Sequence, residues 1–241
     1  MLTAPSTTLV GTQRPYWEAA ETSDCPFGSL FSAICPTDAP AWVLERLQAT
    51  EREYARSLPS PQRQREWLGG RHCLSTALAQ LSVERPAMLQ LPSGAPIVPL
   101  GTAGSISHKG PLVMALAASD AEGVGIDVDY ADDQDVRLQC KVLTVKERVR
   151  LDLRGAGSLY VVAHFSLKEA VYKALDPAHQ QSLDFDDIEV SSLPLVSGQW
   201  RQVGVSVVGN PVLVKAAVLI DGNWVVAVAA RGTASQRISD S

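Results

Sequence analysis

The chain has 241 residues, 46% of them hydrophobic and 20% charged, enough for one large domain or two small ones and too apolar for a disordered polymer. With 21 Lys and Arg against 26 Asp and Glu the net charge is −5, a field that repels nucleic-acid phosphate and anionic lipid, so an anionic ligand must be gripped by a local cluster. The longest apolar runs, such as 112–118 and 224–230, fall far short of the ~18–20 residues of a membrane span.

The N-terminus has no basic start followed by an apolar segment, so no secretory signal is expected. Cys25, Cys35, Cys73 and Cys140 show no C-x-x-C spacing and are too sparse to staple a chain of this size. These features lead us to expect a reduced, cytoplasmic protein with no nucleic-acid partner and no membrane span.

In chain order, the polar ends 3–8 and 235–241 read as frayed. Residues 39–81 carry a helical pattern, with Trp42, Leu44 and Leu47 in one stretch, Trp67, Leu68, Cys73, Leu74, Ala77, Leu78 and Leu81 in another, and Pro59 and Pro61 as the break between them. Proline and glycine over 86–104 predict loop or short extended pieces. The apolar run Leu112–Ala118 predicts a strand.

A second strand is predicted over 125–130, and the period of two puts Ile126, Val128 and Tyr130 on one face with Asp127 and Asp129 on the other. Helical patterns follow over 136–153 and 159–175, the latter carrying Glu169 and Lys173, with Pro177 just beyond it. The β-branched runs 211–220 and 224–230, separated by Asp221, Gly222 and Asn223, predict a hairpin. The whole reads as two comparable α+β halves joined around 119–124, with chemistry drawn from both sides of the seam.

Asp127 and Asp129 on one strand face repel each other, and no Lys or Arg lies between 120 and 135 while Asp120, Glu122, Asp132, Asp133 and Asp135 do. Such a cluster suits Mg²⁺, which takes one or two carboxylates and completes its shell with water and substrate phosphate; a strand running into a solvated acidic loop reads the same way. Glu169 and Lys173 are neighbours one turn apart and equally fit a surface ion pair. Ser107, His108 and Lys109 offer hydroxyl, imidazole and ammonium in a row, and Arg63, Arg65 and Arg71 offer guanidinium forks that suit phosphate or a solvated face. No Walker-type or G-x-G-x-x-G loop, no G-x-S-x-G elbow and no zinc-ligand spacing is present.

Taken together and in this order, GSISHKG (104–110), GVGIDVDY (123–130) and FSLKEAVYKAL (165–175) resemble the signature of 4′-phosphopantetheinyl transferases of the surfactin-synthetase-activating type. REWLGGR (65–71) and PIVPLG (96–101) add likeness to the enterobactin-synthase-component branch. The resemblance implies an α+β fold of two similar α/β subdomains related by pseudo-twofold symmetry, with the active site at their interface. Residues 1–121 then form an N-terminal subdomain contacting coenzyme A, and 122–241 a C-terminal one holding the acids.

It implies a monomer that binds coenzyme A and Mg²⁺ and moves the phosphopantetheine arm to a serine of an apo carrier protein (acyl, peptidyl or aryl). By motif, Asp127, Asp129 and Glu169 would hold the metal, while Arg65, Arg71, Ser107, His108 and Lys173 would contact coenzyme A. Glu169, with Lys173 as catalytic partner, would be the general base. The chain departs from many relatives at Gly94-Ala95-Pro96, where a lysine precedes the proline, and at Asp129, where Glu is common.

Three wider expectations complete the reading. Metal-dependent phosphohydrolysis would use the same acids, and a non-enzymatic binding module for coenzyme A or a carrier protein would keep the arginines and the Ser107 and His108 contacts but need no third acid. Arg137, Lys141, Lys146, Arg148 and Arg150, against Glu147 and Asp152, predict a basic patch that receives an acidic carrier.

Overall fold

The structure is a computed structural model and describes residues 15–22, 24–84, 86–132, 136–154, 157–175, 180, 183–209 and 213–232. The first half contains strands β1 (Ala20–Glu21) and β2 (Ser29–Ile34), helices α1 (Ala41–Arg46), α2 (Ala49–Ser57) and α3 (Pro61–Gln80), and the hairpin β3 (Ala103–Lys109) and β4 (Leu112–Ala118). The second contains β5 (Gly123–Tyr130), helices α4 (Val136–Val142), α5 (Val145–Arg154) and α6 (Ser158–Ala174), short strands β6 (Ile188–Val190), β7 (Arg201–Val203) and β8 (Val205–Val207), and the hairpin β9 (Val214–Asp221) and β10 (Trp224–Arg231).

Each half repeats one plan: a strand, a long helix, and a hairpin whose second strand pairs with the first strand. The sheet orders are β1-β2-β4-β3 and β5-β10-β9-β7, so β2, α3, β3 and β4 correspond to β5, α6, β9 and β10. All the pairings are antiparallel. This is the pair of similar α/β subdomains the sequence implied.

The unbroken apolar runs of β4 and β10 follow from burial on both faces. Val113, Ala115 and Ala117 of β4 pack with Trp67, Leu74 and Leu78 of α3, whereas Leu112, Met114 and Leu116 face the second sheet. In mirror fashion Val225, Ala227 and Ala229 of β10 pack with Leu167, Ala170 and Val171 of α6, and Val226 and Val228 join the core between the sheets. The layers therefore run helix, sheet, sheet, helix.

Two features of the sequence take a different form from the one expected. Pro61 does not merely break the helical pattern; it is the first residue of α3, where its missing N–H costs nothing, and the Ser60 side chain caps the helix by accepting from the Arg63 N–H. The loop read over 86–104 ends slightly earlier than expected, because β3 begins at Ala103 and pairs with β4 as far as Lys109, a strand the sequence had not marked. Strand β2 was also illegible, since it occupies a region where no period-two pattern stands out. The frayed ends, Asp133, Asp135 and Pro177 lie outside the described residues.

Candidate active site

Strands β3 and β5 are edge strands of different sheets, and edge N–H groups need acceptors. Serines on β3 supply them: Ser105 Oγ accepts from the Ile126 N–H at 3.1 Å and Ser107 Oγ from the Val128 N–H at 3.2 Å. The seam between the halves is thus stitched by side chains. Ser107 then uses its one hydroxyl proton on Asp127 Oδ1, at 3.0 Å. Ser107, expected to contact coenzyme A, here turns its donor onto Asp127.

Val124, Ile126 and Val128 face the inter-sheet core, which turns Asp127 and Asp129 toward α6, as the alternation required. Helix α6 lies very close here: a β-carbon at Gly125 would stand 1.8 Å from the Ala170 carbonyl oxygen, and one at Gly123 2.2 Å from that of Ala174. That approach lets Lys173 reach across, with Nζ donating to Asp127 Oδ1 at 2.8 Å and to the Ile126 carbonyl at 3.0 Å. Glu169, one turn earlier, is half-buried. Burial and the charge of Asp127 push its carboxyl above the usual range, against the opposing pull of Lys173.

Asp129 stands apart from this pair. It forms an ion pair with Lys109 and accepts the Tyr130 N–H at 2.6 Å. Among the described residues no three His, Cys, Asp or Glu side chains are gathered as a metal cage; of the three expected ligands, Asp127 and Glu169 lie close enough for their charges to interact, while Asp129 is engaged by Lys109. Two hard carboxylates whose charges oppose each other, Asp127 buried and Glu169 half-buried, fit the modest protein ligation that Mg²⁺ asks for when a substrate brings phosphate oxygens.

On the other side of the seam, His108 lines a cavity of about 230 Å³ together with Arg63, Glu66, Trp67, Arg71 and Gln90. Burial lowers the imidazole pKa, as do Arg63 and Lys173, while Glu66 and Asp127 raise it. Arg71 is buried, donates to the Met88 and Leu89 carbonyls and stacks 4.5 Å over the Trp67 ring. Its first task is to hold the cavity wall formed by 88–97.

Arg65 does not line this cavity. It pairs with Asp38 at 3.6 Å and opens on a separate depression with Gln62 and Pro111. Arg63 lines the cavity and Arg65 does not because Arg63, Glu66 and Gly70 form one stripe of α3, whereas two residues on turns Arg65 roughly 200° away. The helical period contained that distinction.

A further cavity of about 330 Å³ opens beside Glu169, lined by Tyr172, Leu183, Phe185, Ile188 and the stem of Lys168. Glu169 thus stands between this recess, which Asp184 also lines, and the charged seam. A larger cavity, about 470 Å³, is lined by Phe27, Ala118, Asp120, Lys215 and Arg231 and holds none of the candidate residues. Within the expected basic patch Lys146 and Arg150 pair with Glu189 at 3.3 and 2.7 Å, and Arg148 donates to the Leu143 carbonyl.

Sequence reasoning missed Lys168. It is fully buried, pairs with buried Glu147 at 2.8 Å, and donates to the Val142 and Phe185 carbonyls. Glu147 also accepts the N–H groups of Thr144 and Val190, while Thr144 accepts that of Glu147. The Thr-x-x-Glu spacing at 144–147 was the available signal, a capping box opening α5.

Residues 51–118 match the family model of the 4′-phosphopantetheinyl transferase N-terminal domain, and residues 123–229 that of the 4′-phosphopantetheinyl transferase superfamily. The chain is 32% identical over 166 residues to the 4′-phosphopantetheinyl transferase Svp of Streptomyces mobaraensis, covering 66% of each protein. It is 30% identical over 131 residues to the transferase Npt of Nocardia iowensis, covering 54% of this chain and 59% of that one. The matched stretches span just under two thirds of these relatives' lengths. The Thermotoga maritima holo-[acyl-carrier-protein] synthase matches at 21% identity and a TM-score of 0.39, over 47% of this chain and 64% of that one. The two family models meet at the seam between β4 and β5, on the segments that hold His108, Asp127, Glu169 and Lys173, and the chain belongs to the 4′-phosphopantetheinyl transferase superfamily.

Proposed function

We propose that the protein transfers the phosphopantetheine arm of coenzyme A to a serine of an apo carrier protein, releasing 3′,5′-ADP, with Mg²⁺ as the metal. The observation that carries this reading is Lys173 Nζ lying 2.8 Å from Asp127 Oδ1 beside the seam, with Glu169 on the preceding turn. Asp127 and Glu169 are the ligands for the metal, which when bound neutralises charge on the pyrophosphate. Asp129, held by Lys109, tunes the field from a greater distance.

Phosphoryl transfer asks mainly for alignment and positive charge where negative charge grows. Lys173 is an ammonium already aimed at the seam, and Arg63 and His108 add donors from the opposite wall. Glu169 takes the proton of the attacking serine hydroxyl, and its raised pKa makes it a stronger base than a free carboxylate. The serine oxygen forms its bond to phosphorus as the bond to the ADP oxygen breaks, and 3′,5′-ADP leaves with that electron pair.

On this reading residues 1–121 supply the coenzyme A contacts and 122–241 the acids. One chain supplies both walls of the site, which fits a monomer. Free Cys25, Cys35, Cys73 and Cys140 fit a reducing cytoplasm. No helix among the described residues is long and apolar enough to cross a membrane.

The test is incubation with coenzyme A, Mg²⁺ and a panel of apo acyl, peptidyl and aryl carriers, read by mass. The expected result is one phosphopantetheine added per carrier. Consumption of coenzyme A by water at the same rate without a carrier would assign a phosphohydrolase instead.

A further inference from the structure

Glu66 is a buried acid in the wall of a cavity whose other charges suit an anion. Its side chain is 8% exposed. Oε1 accepts from Gln62 Nε2 at 2.8 Å, while Oε2 accepts from Arg63 Nη1 at 3.0 Å and lies 3.6 Å from His108 Nε2. Gln62 and Arg63 come from the preceding turn of α3, and His108 from β3 on the facing wall. Gln62 and Arg63 present N–H donors to the two oxygens, and His108 presents a third when protonated, so an acceptor-only group suits all three; a neutral amide would set its own N–H₂ against one of them.

We propose that Glu66 is a positioning residue for the anionic substrate, holding Arg63 and His108 together so that both present their donors to one phosphate of coenzyme A. The inference rests on the function proposed above. Its sign is what makes it decisive. Were Glu66 only a negative charge near an anion, its removal would tighten binding by relieving repulsion. Because it orders a long, otherwise mobile arginine and ties it to the imidazole, its removal weakens binding instead, since the ordering must then be done by the ligand.

A second consequence is proton-linked. His108 is faced by Glu66 and Arg63 from α3, by Asp127 from β5 and by Lys173 from α6. Burial favours the neutral imidazole, and Glu66 is the largest influence favouring the cation. A bound phosphate adds to Glu66, so coenzyme A binds with proton uptake at His108 and more tightly toward lower pH. Without Glu66 the onset of that tightening moves to lower pH.

The test compares the wild-type chain with Glu66→Ala, Glu66→Gln and Glu66→Asp. It uses the Kd of coenzyme A by calorimetry from pH 5.5 to 8.5, and KM and kcat with a carrier the wild type accepts. Losing a charge-assisted contact at this site should raise Kd and KM for coenzyme A about tenfold in the Ala and Gln variants, with a much smaller change in kcat. Asp should recover part of the loss, and the pH dependence should shift downward in Ala and Gln alone. Melting curves identify any variant that unfolds, and the isosteric Gln variant then carries the comparison.

Folded variants that bind coenzyme A as well as or better than wild type would overturn the role of Glu66. A wild-type chain that binds no coenzyme A overturns the functional reading itself and this role with it, so the two failures are told apart by the first titration.

Discussion

Lys173 Nζ reaches 2.8 Å from Asp127 Oδ1 and 3.0 Å from the Ile126 carbonyl, tying the last turn of α6 to the middle of β5. Ser107 holds the same carboxylate oxygen from the other half at 3.0 Å. One oxygen therefore receives a donor from each side of the seam, and any loss of alignment between the halves is felt at Asp127.

Glu169 offers the cleanest separation of chemistry from folding. Its carboxyl is raised by burial and by Asp127, so the folded state binds its proton more tightly than the unfolded state does, and ionisation costs stability as pH rises through the folded pKa. Glu169→Gln removes that cost. We expect kcat to fall by about a hundredfold or more, the scale of losing one transition-state group, while the melting temperature at pH 7.5 holds or rises. A fall in melting temperature alongside activity would make Glu169 structural.

Gly125 has no room for a side chain. With the Ala170 carbonyl 1.8 Å from a would-be β-carbon, Gly125→Ala must push α6 away from β5 or leave overlap, at a cost of about 1–3 kcal/mol or more. The shift draws Glu169 and Lys173 away from Asp127. Activity should fall further than stability does, measured as kcat against urea midpoint; an alanine variant with normal kcat would show that this spacing does not set the site.

The Lys168–Glu147 pair is fully buried and fully bonded. Removing one partner strands the other charge, so Lys168→Met or Glu147→Gln should each cost about 3–5 kcal/mol. The double variant Lys168→Met with Glu147→Gln should cost less than the sum, which a double-mutant cycle by chemical denaturation would read. Additive losses would mean the two groups act separately.

His164 sets a pH dependence of stability. Burial lowers its pKa from 6.5 to about 4, and its Nδ1 lies 2.8 Å from the Tyr160 carbonyl. Between these values the unfolded state takes a proton that the folded state refuses, so stability present above pH 6.5 is lost as pH falls toward 4. Roughly 2 kcal/mol should go between pH 7 and pH 5 from this group. Urea unfolding at the two pH values should show that loss in wild type and a smaller one in His164→Gln; equal losses would assign the acid sensitivity elsewhere.

Much of the site was legible because local spacing carries its reason with it. The alternation of Ile126, Asp127, Val128 and Asp129 put both acids on one face of a strand, and a period of 3.6 put Glu169 and Lys173 on one side of a helix. The apolar runs at 112–118 and 224–230 marked strands buried on both faces, and the Asp221-Gly222-Asn223 turn marked the hairpin, where Gly222 takes a φ of 59°. What the linear order could not decide was which donor meets which acceptor. Lys173 met Asp127 rather than its helical neighbour because Gly123 and Gly125 let α6 settle onto β5. Ser107 was spent on Asp127 because two sheet edges happened to meet at β3 and β5, and edge N–H groups take whatever acceptor lies across the gap. Arg63 lines the cavity beside His108 while Arg65 pairs with Asp38, and Lys109 pairs with Asp129. Each of these pairings joins residues brought together by the packing of whole elements, whose energy is set by buried area over many residues rather than by any local pattern.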